Sequence, residues 1–284
     1  MTFNKAAILG VGLLGASFGL ALKKHGLCGH VTGFGRSREN LTHAVEMGII
    51  DSFAPNPAAA CSDADIILLA SPVGSFVDLI RRASPSLGKG AIVTDVGSVK
   101  GGLVRSLEEI MPEGVYFVGA HPIAGSDRSG IDFSDAELFQ DAFCIVTPTD
   151  RTEPSALRTV TDLWKRLGSK VMSMDPDRHD RVYAAVSHLP HVIAYAMVNT
   201  VSDIDSAYLS FSGQGFRDMT RIAASSPGIW TDISLMNREN LREMIAVFRK
   251  NLDRIDACLK ESDADGLKGF FAKASALRNG IGQD

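Results

Sequence analysis

The stretch AAILGVGLLGASFGLALKK, Ala6 to Lys24, decides how the chain begins to fold. An apolar run of this kind is a signal peptide, a membrane span, or a strand, turn and helix. Following Lys5 it has some likeness to a signal peptide, but it ends in Lys23-Lys24 and carries no small-residue cleavage site. It is short for a membrane span. Its glycines fall as GxGxxG, Gly10 to Gly15, after a β-rich run and before a helical pattern. That context is the one a dinucleotide-binding βαβ unit requires. Gly10 permits the tight turn, Gly12 lets the backbone approach a pyrophosphate, and Gly15 lets helix pack on strand. The first helical turn, at Leu13 and Leu14, offers its N–H groups to the anion. The alternative is a glycine-rich turn with no ligand.

Outward from there the chain alternates. HVTGF (30–34), ADIILLAS (64–71), AIVTDV (91–96), VYFVGA (115–120), AFCIVTP (142–148) and SKVMSM (169–174) read as strands. Several are continuous apolar runs, as parallel strands buried on both faces must be. Helical patterns occupy 39–48 and 154–168. After Asp175 no comparable strand follows, and the rest reads as helix, interrupted near Pro190. The expected fold class is α/β: a Rossmann-type parallel-sheet domain over residues 1–174, then an all-α domain over 175–284.

The bulk numbers fit a globular protein, with 284 residues, 45% hydrophobic and 22% charged. A net charge of −4 without basic runs argues against a nucleic-acid surface, so an anionic ligand must meet a few placed cations. The four dispersed cysteines make neither a CxxC pair nor a disulfide framework, and free thiols fit a reducing cytoplasm.

The second strand's end bears on cofactor choice. An acid there accepts from the ribose 2′-OH of NAD. This chain reads GFGRSREN, with Gly35 in the acid's place and Arg36 and Ser37 after it. No carboxylate repels a 2′-phosphate and a guanidinium can pair with it, which favours NADP, with NAD possible. An ordinary helix start also explains Arg36-Ser37.

Ligands of such a sheet sit beyond the strands' carboxyl ends. Those ends carry Ser71, Pro72 and Val73; Gly97 and Ser98; and His121 before Pro122. An imidazole suits removal of a hydroxyl proton during hydride transfer. The alternative is a histidine that bonds only its own loop. In the helical part, His188 and His191 share a face if the helix persists through Pro190. A metal is not expected there, since HExxH is absent. Arg217 and Arg221, at i and i+4, would clamp carboxylates from one helix face; a solvated basic face paired with Asp218 is the alternative. Trp230 reads as core.

GVGLLGAS, DVGSVKG, GAHPIAGSDRSG, VSHLPH and GFRDMTRIA with IWTDI run in order over most of the chain, and together they resemble the prephenate/arogenate dehydrogenase family of tyrosine biosynthesis. The resemblance implies a helical dimerisation domain, a homodimer, and oxidative decarboxylation of prephenate to 4-hydroxyphenylpyruvate or of arogenate to tyrosine. The substrate would be a small cyclohexadienyl dianion. By motif, His121 accepts the ring hydroxyl proton and Ser98 orients it. His188, His191, Arg217 and Arg221 belong to the substrate site, with Arg221 on a carboxylate; His179 and Trp230 have no clear role. The length leaves no room for the fused mutase or regulatory domain of some relatives, so feedback by tyrosine would act at the active site. The rivals are another two-domain NAD(P) oxidoreductase, such as a 3-hydroxyacid dehydrogenase, and a non-catalytic dinucleotide-sensing module.

Overall fold

The computed structural model describes residues 2–125 and 130–281. Eight strands form one sheet: β1 Phe3–Leu9, β2 Cys28–Phe34, β3 Ser52–Phe53, β4 Ile66–Leu69, β5 Ile92–Asp95, β6 Tyr116–Pro122, β7 Phe143–Thr147 and β8 Lys170–Ser173. Their spatial order is β3-β2-β1-β4-β5-β6-β7-β8, so the chain crosses from one half of the sheet to the other between β3 and β4.

Side chains alternate across a strand, and here both alternating sets are apolar. Ala6 and Ile8 of β1, with Ile66 and Leu68 of β4, belong to one core; Ala7 and Leu9, with Ile67 and Leu69, belong to a second. Helices cover both cores. Helices α1 (Leu13–Lys24) and α2 (Arg38–Glu46) pack on the first. Helices α3 (Pro57–Cys61), α4 (Phe76–Ala83) and α5 (Gly101–Ile110) pack on the second, and α6 (Pro154–Arg166) returns to the first through Val160, Leu163 and Trp164.

The sheet is parallel from β3 to β6, but β7 pairs antiparallel to β6, and β8 runs parallel to β7. Between β6 and β7 the described chain holds only a short 3₁₀ turn, Ile131–Phe133, rather than a crossover helix, so the strand returns alongside its predecessor. The pairing extends β6 beyond the expected end at Ala120: His121 lies opposite Ile145 and is held in regular structure.

The remaining helices are α7 (Pro176–Tyr183), α8 (Leu189–Asp205), α9 (Gln214–Thr220), α10 (Pro227–Met236), α11 (Arg238–Glu261) and α12 (Ala264–Gly280). A π-helical turn, Ala184–His188, joins α7 to α8, and Pro190 lies just after it, where the widened turn accommodates a ring that cannot donate to the turn before it. The expected break near Pro190 is therefore a widening of a continuous helical path. The chain divides between Arg238 and Glu239 into two compact units. No helix among the described residues is long and apolar enough to cross a membrane.

Candidate active site

The glycine loop is built as its sequence requires. Gly10 has φ +118°, and a Cβ there would lie 2.5 Å from the Ser71 main-chain nitrogen. A Cβ on Gly15 would stand 2.1 Å from the Gly10 carbonyl oxygen, so this glycine lets α1 sit on β1. A Cβ on Gly12 would meet nothing within 4 Å, which leaves its backbone bordering open space. Gly12 is the N-cap of α1 and has no side chain with which to cap the first-turn N–H groups at Leu13 and Leu14. That arrangement fits a bound pyrophosphate. Ser71, Pro72 and Val73 follow β4 over this loop, with Ser71 Oγ 2.7 Å from Ser75 Oγ. A Cβ on Gly97 would lie 2.8 Å from Val73, so the β4 and β5 ends adjoin.

At the end of β2, Arg36 is exposed and Ser37 is the N-cap of α2, its Oγ accepting from Asn40 N at 3.1 Å. Ser37 is thus engaged by its own helix. The Asn40 side chain donates to the Val11 carbonyl at 2.9 Å and ties α2 to the glycine loop.

Asp95, at the end of β5, organises the strand ends. It is fully buried and paired with the equally buried Lys100. Its carboxylate also accepts from Gly97 N at 2.8 Å and Ala120 N at 3.0 Å. One carboxylate thereby pins the loop that carries Ser98 and the strand that carries His121.

His121 is buried, and its Nδ1 lies 2.8 Å from Nε2 of His179. His179 Nδ1 in turn lies 2.9 Å from Asp180 Oδ1, which also accepts from Lys100 N at 2.7 Å. Tyr183 stacks on His179, with ring centroids 4.4 Å apart. Burial, then the neighbouring His179 and Lys100, hold the His121 pKa well below the ordinary imidazole value. His179 is lowered too, chiefly by burial and against the pull of Asp180.

A second ring cluster adjoins this one. The Asn237 amide nitrogen donates to the Asp180 carbonyl at 2.7 Å and lies 3.1 Å from His188 Nδ1. Since a carbonyl only accepts, the amide orientation is set, and the remaining amide hydrogen faces His188 Nδ1. Neutral His188 then carries its hydrogen on Nε2. The Ser98 backbone lies close enough to favour the charged form of His188, yet among the described residues Nε2 closes no hydrogen bond. His191 stacks on Trp230 at 3.5 Å between centroids, and His188 meets the same indole edge-on at 6.0 Å. His191 also neighbours the Ile222 backbone, which brings the Arg221 segment to the cluster.

The structure brings His121, Ser98, His188, His191 and the glycine loop to one end of the sheet. It treats the arginine pair differently. Helix α9 ends at Thr220 and Arg221 opens a 3₁₀ turn, so the two arginines do not share one continuous α-helix. The next helix starts at Pro227, shortly after that turn ends at Ala224. Arg217 is exposed, and its neighbour Asp218 accepts from Gln214 at 2.6 Å. No group of three or more His, Cys, Asp or Glu suited to a metal occurs among the described residues. The motif around His121 continues through Ser126 to Ser129, which lie outside the described residues.

Sequence reasoning missed Asp95, His179, Asp180 and Asn237 as parts of the site. The available signal was position. His179 and Asp180 recur with Pro176 at the i, i+3, i+4 spacing of a buried face, and Asp95 closes an apolar strand.

Burial depresses the His188 pKa to about 4. Unfolded, this group would titrate near ~6.5. Between those values the unfolded chain binds more protons, so stability rises with pH across the window and is lost as pH falls through it. His188 alone should remove about 1 kcal/mol on going from pH 7.5 to 5.5. Urea unfolding at the two pH values, compared with His188→Gln, measures this; equal pH dependence in both proteins would refute it.

Comparison with known proteins identifies the family. The family models for the prephenate dehydrogenase nucleotide-binding domain and dimerization domain match residues 18–173 and 175–273. The prephenate dehydrogenase of Bacillus subtilis is 33% identical over 96% of this chain and 75% of its own. The cyclohexadienyl dehydrogenase of Zymomonas mobilis is 33% identical over 99% of this chain and 97% of its own. A crystal structure of Aquifex aeolicus prephenate dehydrogenase, in complex with hydroxyphenyl propionate and NAD+, superposes with a TM-score of 0.92 at 35% identity and covers 99% of each chain. The chain belongs to the prephenate dehydrogenase family.

Proposed function

We propose that this protein oxidatively decarboxylates prephenate, arogenate or both, with hydride transfer to NAD(P), and that His121 is its proton acceptor. The observation that carries the assignment of His121 is its place: a buried imidazole at the β6 end, one nitrogen engaged by His179, with His188 near it and the Ser98 backbone against His188. The rival oxidoreductases and the sensing module are less supported, because both family models match and relatives at 33% identity are enzymes of this class.

When bound, the nicotinamide supplies the hydride acceptor. The chain's residues do the rest. The backbone from Gly10 to Gly15 holds the pyrophosphate, flanked by Ser71, Pro72, Val73 and Gly97. Ser98 orients the reacting hydroxyl. His121 takes its proton as carbon dioxide leaves and the ring becomes aromatic. His188 offers its Nε2–H, His191 and Trp230 form a flat wall, and Arg221 holds a carboxylate, with Arg217 near the substrate's side chain. Domain limits of 1–174 and 175–284, and a cytoplasmic homodimer as the working form, complete the reading. The match to a dimerization domain and the dispersed free thiols support it.

NADP is the preferred cofactor on this reading, since Gly35 removes the repelling acid and Arg36 stands exposed beside it. Arg36→Ala should weaken NADP about 10-fold and NAD far less. Fluorescence titrations with both nucleotides test this, and equal losses would remove Arg36 from 2′-phosphate recognition. Arg221→Ala should raise KM about 10- to 100-fold with kcat little changed, the loss expected for a charged hydrogen bond made equally in ground and transition states. An unchanged KM would return Arg221 to the solvated surface. Steady-state kcat/KM with prephenate and arogenate, each with NAD and NADP, tests the whole assignment. Turnover in none of the four combinations would overturn it.

A further inference from the structure

Two ring nitrogens distinguish a base from a bystander. His121 can accept a proton at Nε2 only if its own hydrogen sits on Nδ1. What decides this lies one and two residues deeper. Asp180 is an acceptor, so the His179 nitrogen facing it, Nδ1 at 2.9 Å, carries a hydrogen. A neutral His179 then presents a lone pair at Nε2. The atom 2.8 Å from that lone pair is His121 Nδ1, which must donate. Asp180 is itself held by Lys100 N at 2.7 Å, and Asn237 holds its carbonyl at 2.7 Å. Tyr183 packs on both imidazoles, with centroids 4.8 Å from His121 and 4.4 Å from His179.

We propose that His179 and Asp180 are positioning residues that fix the tautomer of His121 and leave its Nε2 as the bare acceptor of the substrate's proton. The inference rests on His121 being that acceptor. In the step concerned, the substrate O–H bond breaks and an N–H bond forms at His121 Nε2. The imidazolium so formed is stabilised through its Nδ1–H bond to His179, which Asp180 polarises. A carboxylate that sets the tautomer of a catalytic histidine directly is familiar from hydrolases. Here a second imidazole stands between them.

The direct test is the ¹⁵N spectrum of histidine-labelled apoprotein near neutral pH, with His121 assigned by comparison with His121→Asn. The proton of His121 is expected on Nδ1; finding it on Nε2 overturns the proposal. Kinetics give a second test. His179→Leu should lower kcat about 100-fold, the scale of a lost general base, with substrate KM within about 3-fold of wild type. His179→Gln places an amide oxygen near the position of Nε2 and should recover turnover to within about 10-fold of wild type. Equal turnover in the Leu and Gln variants contradicts a tautomer role, and if the Leu variant does not fold, the wild-type spectrum decides. His121→Asn separates the two levels. If it retains turnover, the base assignment fails and takes this inference with it. If it is inactive while His179→Leu is fully active, only the role of His179 and Asp180 fails.

Discussion

His121→Asn should bind cofactor almost as the parent does while turnover falls 10²- to 10⁴-fold, the range for loss of a general base. Asparagine keeps a polar group near Nδ1, so the contact to His179 has a substitute, but it has nothing at the position of Nε2. The affected step is therefore the proton's, and a kcat loss with little change in KM is the expected pattern. On the proposed reading cofactor affinity is set elsewhere, by the Gly10–Gly15 backbone and the strand ends beside it. The measurement is a nucleotide titration and steady-state kinetics on one preparation. Near-normal turnover would remove His121 from the chemistry, and loss of nucleotide binding would show that the substitution had disturbed the strand ends.

The largest effect on stability is expected at Asp95. Its carboxylate is fully buried, pairs with buried Lys100, and accepts from the main chain of Gly97 and Ala120. Asp95→Ala would leave a buried cation without its partner, which costs about 3–5 kcal/mol. Two buried N–H groups would also be unsatisfied, at about 1–3 kcal/mol each where water cannot reach them. Much of a typical domain's stability would be lost. Urea unfolding should show a midpoint far below that of the parent with an unchanged slope. Asp95→Asn keeps an acceptor and should lie between the two. A loss under about 1 kcal/mol on Asp95→Ala would mean that water or another group replaces the carboxylate.

Asp95 also shows where the sequence stops being legible. The glycine loop could be read because its demands are local: a positive φ at Gly10 and a close approach at Gly15 are properties of a few consecutive residues. The inner strands could be read because a sheet covered on both faces turns strands into apolar runs, as Ile66–Leu69 is. The direction of β7 was not readable, because it depends on what fills the connection after β6. The two-residue strand Ser52–Phe53 carries no pattern at all. Asp95 closes an apolar run, and its buried partner Lys100 begins the next helix; neither alone reveals that they face each other.

The histidines divide the same way. His121, His188 and His191 stood out because their neighbours are unusual for helix or strand. His179 and Asp180 sit in PDRHDRVY, whose composition suggests a solvated helix. The i, i+3, i+4 spacing with Pro176 marks a buried face, but the groups that satisfy their polar atoms, Lys100 N, His121 and Asn237, come from other elements, which spacing does not name. Arg217 and Arg221 were readable as a pair by spacing, but the early end of α9 at Thr220 depends on the turn that follows.

If His121 is the base, one of its imidazole nitrogens faces the reacting hydroxyl beside the nicotinamide. A crystal structure of the protein with NADP and a non-reacting substrate analogue measures this directly. His121 Nε2 is expected within about 3.2 Å of the analogue's ring oxygen, with Nδ1 still on His179. An imidazole turned away from the analogue, with another side chain or water at that oxygen, would contradict it.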